Sequence, residues 1–175
     1  MKRIVILLGI LVLAGLVAGC ATPQLRIPQN EIPRATKIFI KEGQTYNKVN
    51  WGEPNNFVFT EPIPNGELGK LYREYLQREL AKRGFIVLTE LPKPNDALSL
   101  IVDFKIAWTP VFLGNGAVVI HLMVFDSSNP PRLILENQDG RLTSLIFSKE
   151  WILRNRSAPG SAKLIIDLFL EKTGE

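Results

Sequence analysis

The sequence predicts an α+β fold: a two-layer domain in which a mixed, mostly antiparallel sheet carries two helices packed on one face. Three observations lead to this prediction. Apolar and polar residues alternate from Leu98 to Trp108, one apolar stripe has helical spacing from Glu67 to Arg83, and a second lies near the C-terminus. Stacking both helices on the sheet lets all three elements bury their apolar sides together.

Before this domain, residues 1–19 have the pattern of a signal peptide. Lys2 and Arg3 precede an apolar run from Ile4 to Val17, which is shorter than the roughly 20 residues of a membrane-spanning helix. Small residues follow, and then Cys20, the only cysteine of the chain. We expect the leader to be removed, so that residues 20–36 form a tether and residues 37–175 form a single domain.

The tether sequence from Ala21 to Thr36 is ATPQLRIPQNEIPRAT, with three prolines in sixteen residues. Proline discourages both a helix and a central strand, which favours an extended connection. At about 3.1 Å per residue it could hold the domain up to about 50 Å from a membrane. The alternative is an arm that packs along the domain through Leu25, Ile27 and Ile32.

The domain begins with a short strand, a long loop and a helix. Residues Lys37 to Lys41 are rich in β-branched and aromatic side chains, which favours a strand. Glycine and proline interrupt residues 43–66, which predicts a loop with a brief strand from Phe57 to Thr60. The helix is expected from about Glu67 to Arg83.

Residues flanking the helix predict where it begins and ends. Asn65 is a suitable N-terminal cap, and Gly84 can adopt the left-handed conformation that follows a last turn. Four strands are then expected, at Phe85–Thr89, Leu98–Trp108, Ala117–Phe125 and Leu133–Leu145. The last of them either continues, bends or doubles back at Asp139-Gly140. A second helix follows, introduced by Pro159, Gly160 and Ser161 and ending near Gly174.

The inventory of reactive side chains argues against an enzyme. His121 is the only histidine, it lies in the middle of a predicted strand, and no nucleophile motif accompanies it. Zinc requires several Cys or His ligands, and the acids are too dispersed for a calcium site. Asp103 and Glu136 could serve as an acid and a base on neighbouring strands, but nothing in their spacing requires this, and solvent-facing roles are the simpler explanation. We therefore expect no catalytic residue, no metal and no cofactor.

The net charge argues against a nucleic-acid partner. The chain has 21 basic and 17 acidic residues, and the leader contains two of the basic ones and none of the acidic ones. The mature formal charge is therefore only +2. Proteins that bind polyanions usually carry a larger, clustered positive charge.

Two segments combine aromatic with polar or basic side chains in a way that suggests contact with a partner or a membrane. The first is the predicted loop from Tyr46 to Trp51, and the second is the stretch from Lys149 to Arg156, which contains Trp151, Arg154 and Arg156. Tryptophan and arginine are enriched at binding hot spots and tryptophan at bilayer interfaces. Alternatively, Trp151 and Leu153 cap the core beside the last helix while the charges are solvated.

The tetrapeptide Val17-Ala18-Gly19-Cys20 resembles the lipobox of bacterial lipoproteins. The resemblance implies cleavage before Cys20, a diacylglyceryl group on its sulfur and an acyl chain on the new amino group. Two or three such chains give stable anchoring. In that family an aspartate after the cysteine favours retention in the inner membrane, and Ala21 in its place implies an outer-membrane anchor that faces the periplasm.

The rest of the chain resembles periplasm-facing lipoproteins whose domain is similar to the amino-terminal domain of TolB. The likeness rests on the first strand, on LQRELAKRGFIVL, on LSLIVDFKI and on AVVIHLMVFD. It implies a non-enzymatic accessory of an envelope transport or export machine, with envelope proteins as partners and a homo-oligomer compatible with an open strand edge. The alternative is a carrier or sensor of an apolar or glycan ligand, bound on the sheet face or at the Trp51 loop.

Overall fold

The computed structural model describes residues 36–51, 57–96, 99–110, 116–143 and 147–173. The predicted signal peptide, Cys20 and the tether up to residue 35 lie outside these ranges. The strands are β1 (Lys37–Ile40), β2 (Gln44–Trp51), β3 (Phe57–Ile63), β4 (Ile86–Leu88), β5 (Ser99–Pro110), β6 (Gly116–Asp126) and β7 (Leu133–Leu142). The helices are α1 (Glu67–Lys82), α2 (Lys149–Ile152) and α3 (Ala158–Thr173), and a π-helical turn (Leu153–Ser157) joins the last two.

Strand β5 organises the seven-stranded sheet. Along one edge it pairs antiparallel with β6 from Leu100 to Pro110, and β6 pairs antiparallel with β7. Along the other edge it pairs in parallel first with β1 and then with β2. On the outer side, β4 pairs with β1 and β3 pairs with β2. The predicted α+β class with a mixed sheet is therefore confirmed.

The backbone between β1 and β2 takes a left-handed conformation at Gly43, which has φ of +72°. A Cβ atom at this position would overlap the ring of Phe104 on β5. Glycine therefore allows the backbone to pass directly over the aromatic ring in a left-handed conformation. Beyond this passage the chain continues as β2, which pairs in parallel with β5 further along than β1 does.

Helices α1 and α3 cover one face of the sheet, as the sequence predicts. Tyr72 and Leu76 of α1 and Ile165 of α3 are fully buried against Phe104 and other inward-facing strand residues. The ring of Phe104 meets that of Tyr72 edge-on, with centroids 4.8 Å apart. The alternation seen in the sequence of β5 thus places its even-numbered residues in the helix-side core.

The segment from 43 to 66, expected to be mostly loop, contains the β2–β3 hairpin instead. The hairpin pairs from Thr45 opposite Ile63 to Trp51 opposite Phe57. It folds over the face opposite the helices, where Val49, Phe57 and Phe59 pack around small β5 and β6 residues. The brief strand expected from Phe57 to Thr60 is confirmed as part of β3. The loop prediction for the rest of the segment was wrong, because a proline such as Pro62 is tolerated near the end of β3, which is an edge strand.

Several predicted boundaries also differ. Strand β7 runs without reversal through Asp139-Gly140, and Gly140 leaves room for Phe57, whose ring would lie 3.1 Å from an added Cβ. Gly66, not Asn65, is the N cap of α1, with no side-chain hydrogen bond. Gly84 does adopt the expected left-handed conformation, with φ of +95°.

The C-terminal helical segment begins earlier than predicted, at Lys149 instead of near Pro159. Ser148 starts it, because its Oγ accepts a hydrogen bond from the Trp151 N–H at 3.1 Å. Pro159 is tolerated because it occupies the first turn of α3, where the π-helical turn has already altered the hydrogen-bond pattern.

Candidate functional site

The structure places the predicted site residues in two separate regions. Trp51 ends β2 opposite Phe57, in the hairpin on the outer face of the sheet, and its side chain lies outside the described part of the structure. Trp151, Arg154 and Arg156 lie together on the helix side. Cys20 falls outside the described residues.

The residues on the helix side form a surface that we call the Trp151 surface, made of Phe147, Lys149, Trp151, Arg154 and Arg156. Trp151 is half-buried and packs against the helix-side core. Phe147 is 37% exposed and stacks on it with ring centroids 4.2 Å apart. An aromatic pair with one side in the core and the other toward solvent is a suitable anchor for a partner.

Cations frame this aromatic pair. The guanidinium of Arg156 lies 6.0 Å from the centroid of Trp151. The ammonium of Lys149 lies 5.9 Å from the centroid of Trp108 on β5. Arg154 is exposed. Cation–π contacts of this kind contribute about 0.5–1 kcal/mol at exposed sites. They orient the cationic groups of Lys149 and Arg156 and do not require these groups to be buried.

A hydrogen bond between α1 and α2 fixes the position of the surface. The hydroxyl of Tyr75 donates to Oε1 of Glu150 at 2.9 Å, and this hydrogen bond raises the pKa of Tyr75. Leu153, in the π-helical turn, is fully buried beneath the surface. The prediction that Trp151 and Leu153 pack beside the last helix is therefore confirmed, and the exposed charges remain available for contact.

The acids considered for catalysis each have a basic neighbour. Asp103 forms an ion pair with Lys41 at 2.9 Å, and Glu136 lies 2.6 Å from Nε2 of His121. Strand β6 separates the two acids, since Met123 pairs with both. His121 is buried and stacks on Phe59, with centroids 6.2 Å apart. These contacts account for all three side chains as parts of the outer face.

Two further observations concern the described residues only. They contain no cluster of three or more His, Cys, Asp or Glu side chains that could share a metal ion. None of their helices combines the length and the apolar character needed to cross a membrane.

A cavity of about 580 Å³ lies between α1 and the base of the hairpin, at a place that the sequence analysis did not indicate. We call it the α1 cavity. Its residues come from the chain between β1 and β2, from the end of β3 and the turn after it, and from one side of α1: Glu42, Gly43, Gln44, Thr45, Tyr46, Pro62, Ile63, Pro64, Asn65, Gly66, Lys70, Arg73, Glu74 and Gln77.

Thr45 holds the floor of the α1 cavity in place. Its Oγ1 accepts a hydrogen bond from the Gly69 N–H at 3.1 Å and donates one to the Gly66 carbonyl at 3.3 Å. A Cβ atom on Gly66 would overlap Thr45. The start of α1 is thereby joined to β2 through a buried side chain, and the cavity is bounded by fixed elements.

One signal of the α1 cavity is present in the sequence. Lys70, Arg73, Glu74 and Gln77 have the spacing i, i+3, i+4 and i+7, which places them on one side of a helix. Such a stripe is usually solvated, and only the return of the hairpin beside it makes it a wall of a cavity.

No protein-family model matches the sequence, and no curated protein matches it. Among solved structures, the chain is similar to a DUF330 protein from Xanthomonas campestris, with a TM-score of 0.53, 7% identity, and coverage of 89% of this chain and 95% of that chain. At this identity the likeness shows a shared fold alone.

Two other solved structures are less similar. A hypothetical protein from Chlamydia trachomatis has a TM-score of 0.43 and 14% identity, with coverage of 79% of this chain and 93% of that one. A minor lipoprotein from Acinetobacter baumannii has a TM-score of 0.35 and 10% identity, with coverage of 79% and 94%. These TM-scores are too low to establish a shared fold.

Proposed function

We propose that this chain is a membrane-anchored, periplasm-facing lipoprotein that serves as a non-enzymatic accessory or assembly component of an envelope transport or export machine. The observation that carries the proposal is the lipobox-like Val17-Ala18-Gly19-Cys20 after a short apolar run. Acyl chains on Cys20 would supply the anchor. The identity of Ala21 favours the outer membrane.

The Trp151 surface supports a role through protein contact. Phe147, Trp151 and Arg154 present apolar area beside an exposed cation, the combination found at binding hot spots. The contacts of Asp103 with Lys41 and of Glu136 with His121 support a non-catalytic role, because both carboxylates are already engaged by neighbouring side chains. The TolB-like resemblance remains a prediction.

The anchor is tested by growing cells that express the full chain with labelled palmitate. We expect label on the wild-type protein and none on Cys20→Ser, because a hydroxyl does not replace the sulfur as the lipidated group. Undiminished label on Cys20→Ser, or an unlabelled wild type, would contradict the proposal. Fractionation of the labelled protein between inner and outer membranes tests the location separately.

The partner role is tested by purifying the lipidated chain from envelopes in mild detergent. We expect a defined envelope complex with the wild type, a weaker one with Arg154→Glu, and no loss with Lys82→Glu, whose exposed side chain lies in the last turn of α1. Recovery of the free chain alone, or an equal loss with both variants, would count against contact through the Trp151 surface.

We also propose that the chain self-associates through β7. Among the described strands, β3, β4 and β7 each pair on one edge only; β7 is the longest of the three, it pairs with β6, and Leu142 on it is 67% exposed. An open edge of ten residues favours pairing with another strand. Sedimentation of the full chain in detergent should show an oligomer that Leu142→Lys weakens, and a wild-type monomer would contradict this.

A further inference from the structure

The α1 cavity contains two cations without partners among the described residues. Lys70 and Arg73 lie one helical turn apart on α1, and neither forms a hydrogen bond or an ion pair there. The Nε atom of Arg73 is shielded from solvent and has no acceptor. A buried donor that remains unsatisfied destabilises the protein unless another molecule supplies the acceptor.

The start of α1 adds to this positive potential. Gly66 lines the cavity and caps the helix without a side-chain hydrogen bond. Thr45 accepts the Gly69 N–H of this first turn, and the dipole of a helix N-terminus favours a negative group nearby. Two acids also line the cavity, but Glu42 is exposed and Glu74 lies 4.0 Å from Arg78. Lys70 is exposed as well, so the charged group that is partly shielded from solvent in the lining is the guanidinium of Arg73.

The opposite wall of the cavity is apolar. Pro62, Ile63 and Pro64 follow one another there, and Ile63 is 42% exposed. The ring of Tyr46 lies beside them and is held by Phe59, at a centroid distance of 5.4 Å, and by a 2.6 Å hydrogen bond from its hydroxyl to Gln44. A volume of about 580 Å³ with one apolar and one polar wall is typical of a small-molecule site.

We infer that the α1 cavity binds a small amphipathic anion, in which a phosphate or carboxylate group is joined to a short apolar chain. The anionic group accepts hydrogen bonds from Arg73 and Lys70, and the apolar chain lies on Tyr46 and on the segment from Pro62 to Pro64. Charge-assisted hydrogen bonds are the strong ones, and arginine suits both head groups. This site is independent of the Trp151 surface and of the lipid anchor.

The test uses the full chain in phosphatidylcholine nanodiscs, titrated in a calorimeter with hexyl phosphate and corrected with empty nanodiscs. We expect saturable binding, with inorganic phosphate weaker by at least about tenfold because it has no alkyl chain. Hexyltrimethylammonium, which has the same chain and the opposite charge, should not bind. Heptanoate replaces the phosphate by a carboxylate, so its affinity relative to hexyl phosphate identifies the preferred head group.

Two variants and a matched control assign the binding to the cavity. Arg73→Gln should weaken hexyl phosphate binding by roughly tenfold to a hundredfold. Lys82→Gln removes an exposed cation from the same helix, outside the cavity lining, and should change it by less than about twofold. Lys70→Gln, at an exposed position, provides a second test if Arg73→Gln fails to fold.

The inference is overturned if hexyltrimethylammonium binds as well as hexyl phosphate, or if neither Arg73→Gln nor Lys70→Gln weakens binding. It is also overturned if the alkyl anions fail to bind while an acidic peptide does so, since the site would then recognise protein. None of these results depends on palmitate labelling or on envelope complexes, so the failure of this inference is distinguishable from the failure of the proposed function.

Discussion

The hydroxyl groups of Tyr72 and Ser161 are 2.7 Å apart in the buried layer between α1 and α3. Tyr72 is fully buried and Ser161 nearly so. Burial raises the pKa of Tyr72 well above its ordinary value, so the phenol stays protonated and donates a hydrogen bond to the serine oxygen. This hydrogen bond is a polar link between α1 and α3, the two long helices.

Removing either hydroxyl should destabilise the domain. Tyr72→Phe should lower the free energy of unfolding by about 1 kcal/mol, and Ser161→Ala by about 1–3 kcal/mol because it leaves the buried phenol without an acceptor. Urea unfolding monitored by tryptophan fluorescence measures both. The double variant should lose less than the sum of the single losses, and strict additivity would show that the two groups do not interact.

Gly43 should tolerate alanine less well than Gly84. Both have positive φ, which costs a residue with a Cβ about 1–3 kcal/mol. At Gly43 the added methyl also overlaps the ring of Phe104, whereas nothing lies within 4 Å at Gly84. Thermal unfolding should therefore show a larger loss for Gly43→Ala, by about 1–3 kcal/mol. Equal losses would mean that the backbone does not pass over Phe104.

Stability should fall in acid as Asp126 is protonated. The hydrogen bonds from Ser128 and Arg132 lower the pKa of Asp126 to about 2. An unfolded aspartate has a pKa of about 3.9, so between these values the unfolded chain binds more protons than the folded one. Stability from this group is complete above about pH 4 and is lost as the pH falls toward about 2.

Asp126→Asn provides the measurement. The variant should be less stable than the wild type at neutral pH, and the difference should shrink on acidification through this pH window. Urea unfolding at a series of pH values follows it. A difference that stays constant down to about pH 2 would show that the Asp126 carboxylate has the same pKa in the folded and unfolded chains.

The packing of the β2–β3 hairpin on the outer face of the sheet should depend on Phe59. Phe59 contacts Tyr46 and stacks on His121, so Phe59→Ala should cost about 2 kcal/mol, less than the 3–5 kcal/mol of a fully buried phenylalanine. Hydrogen exchange of the β2 and β3 amides should accelerate. Val58→Ala is the control, because that neighbouring side chain is 50% exposed. Equal effects at both positions would contradict packing on the outer face.

The α+β class and the helix layer could be predicted because local periodicity reports them. The alternation in β5 and the stripe through Tyr72 and Leu76 each reflect one face that must leave water. The hairpin was missed because its prolines and glycines are typical of loops, while its stability comes from packing on Ala107 and Val119, which are distant in the sequence. Whether the chain bends or reverses at Asp139-Gly140 could not be predicted for the same reason, because Gly140 packs against Phe57, which is distant in the sequence.

The candidate sites divide in a similar way. The basic and aromatic residues around Trp151 were found because they are consecutive in the sequence, and the structure adds Phe147 and Trp108 to them. The α1 cavity was missed because Tyr46, Pro62 and Arg73 come from three separate elements. No spacing rule connects residues that only a returning hairpin brings together.

What the sequence by itself determined is the class of fold, the order of its main elements and the expectation of a lipid anchor at Cys20. These depend on residues that are neighbours along the chain. The tertiary structure alone decided that Asp103 and Glu136 pair with Lys41 and His121, and that Lys70 and Arg73 face a cavity. The reason is physical: an isolated polar residue acquires its partners, and hence its chemistry, only when distant strands and helices pack and exclude water.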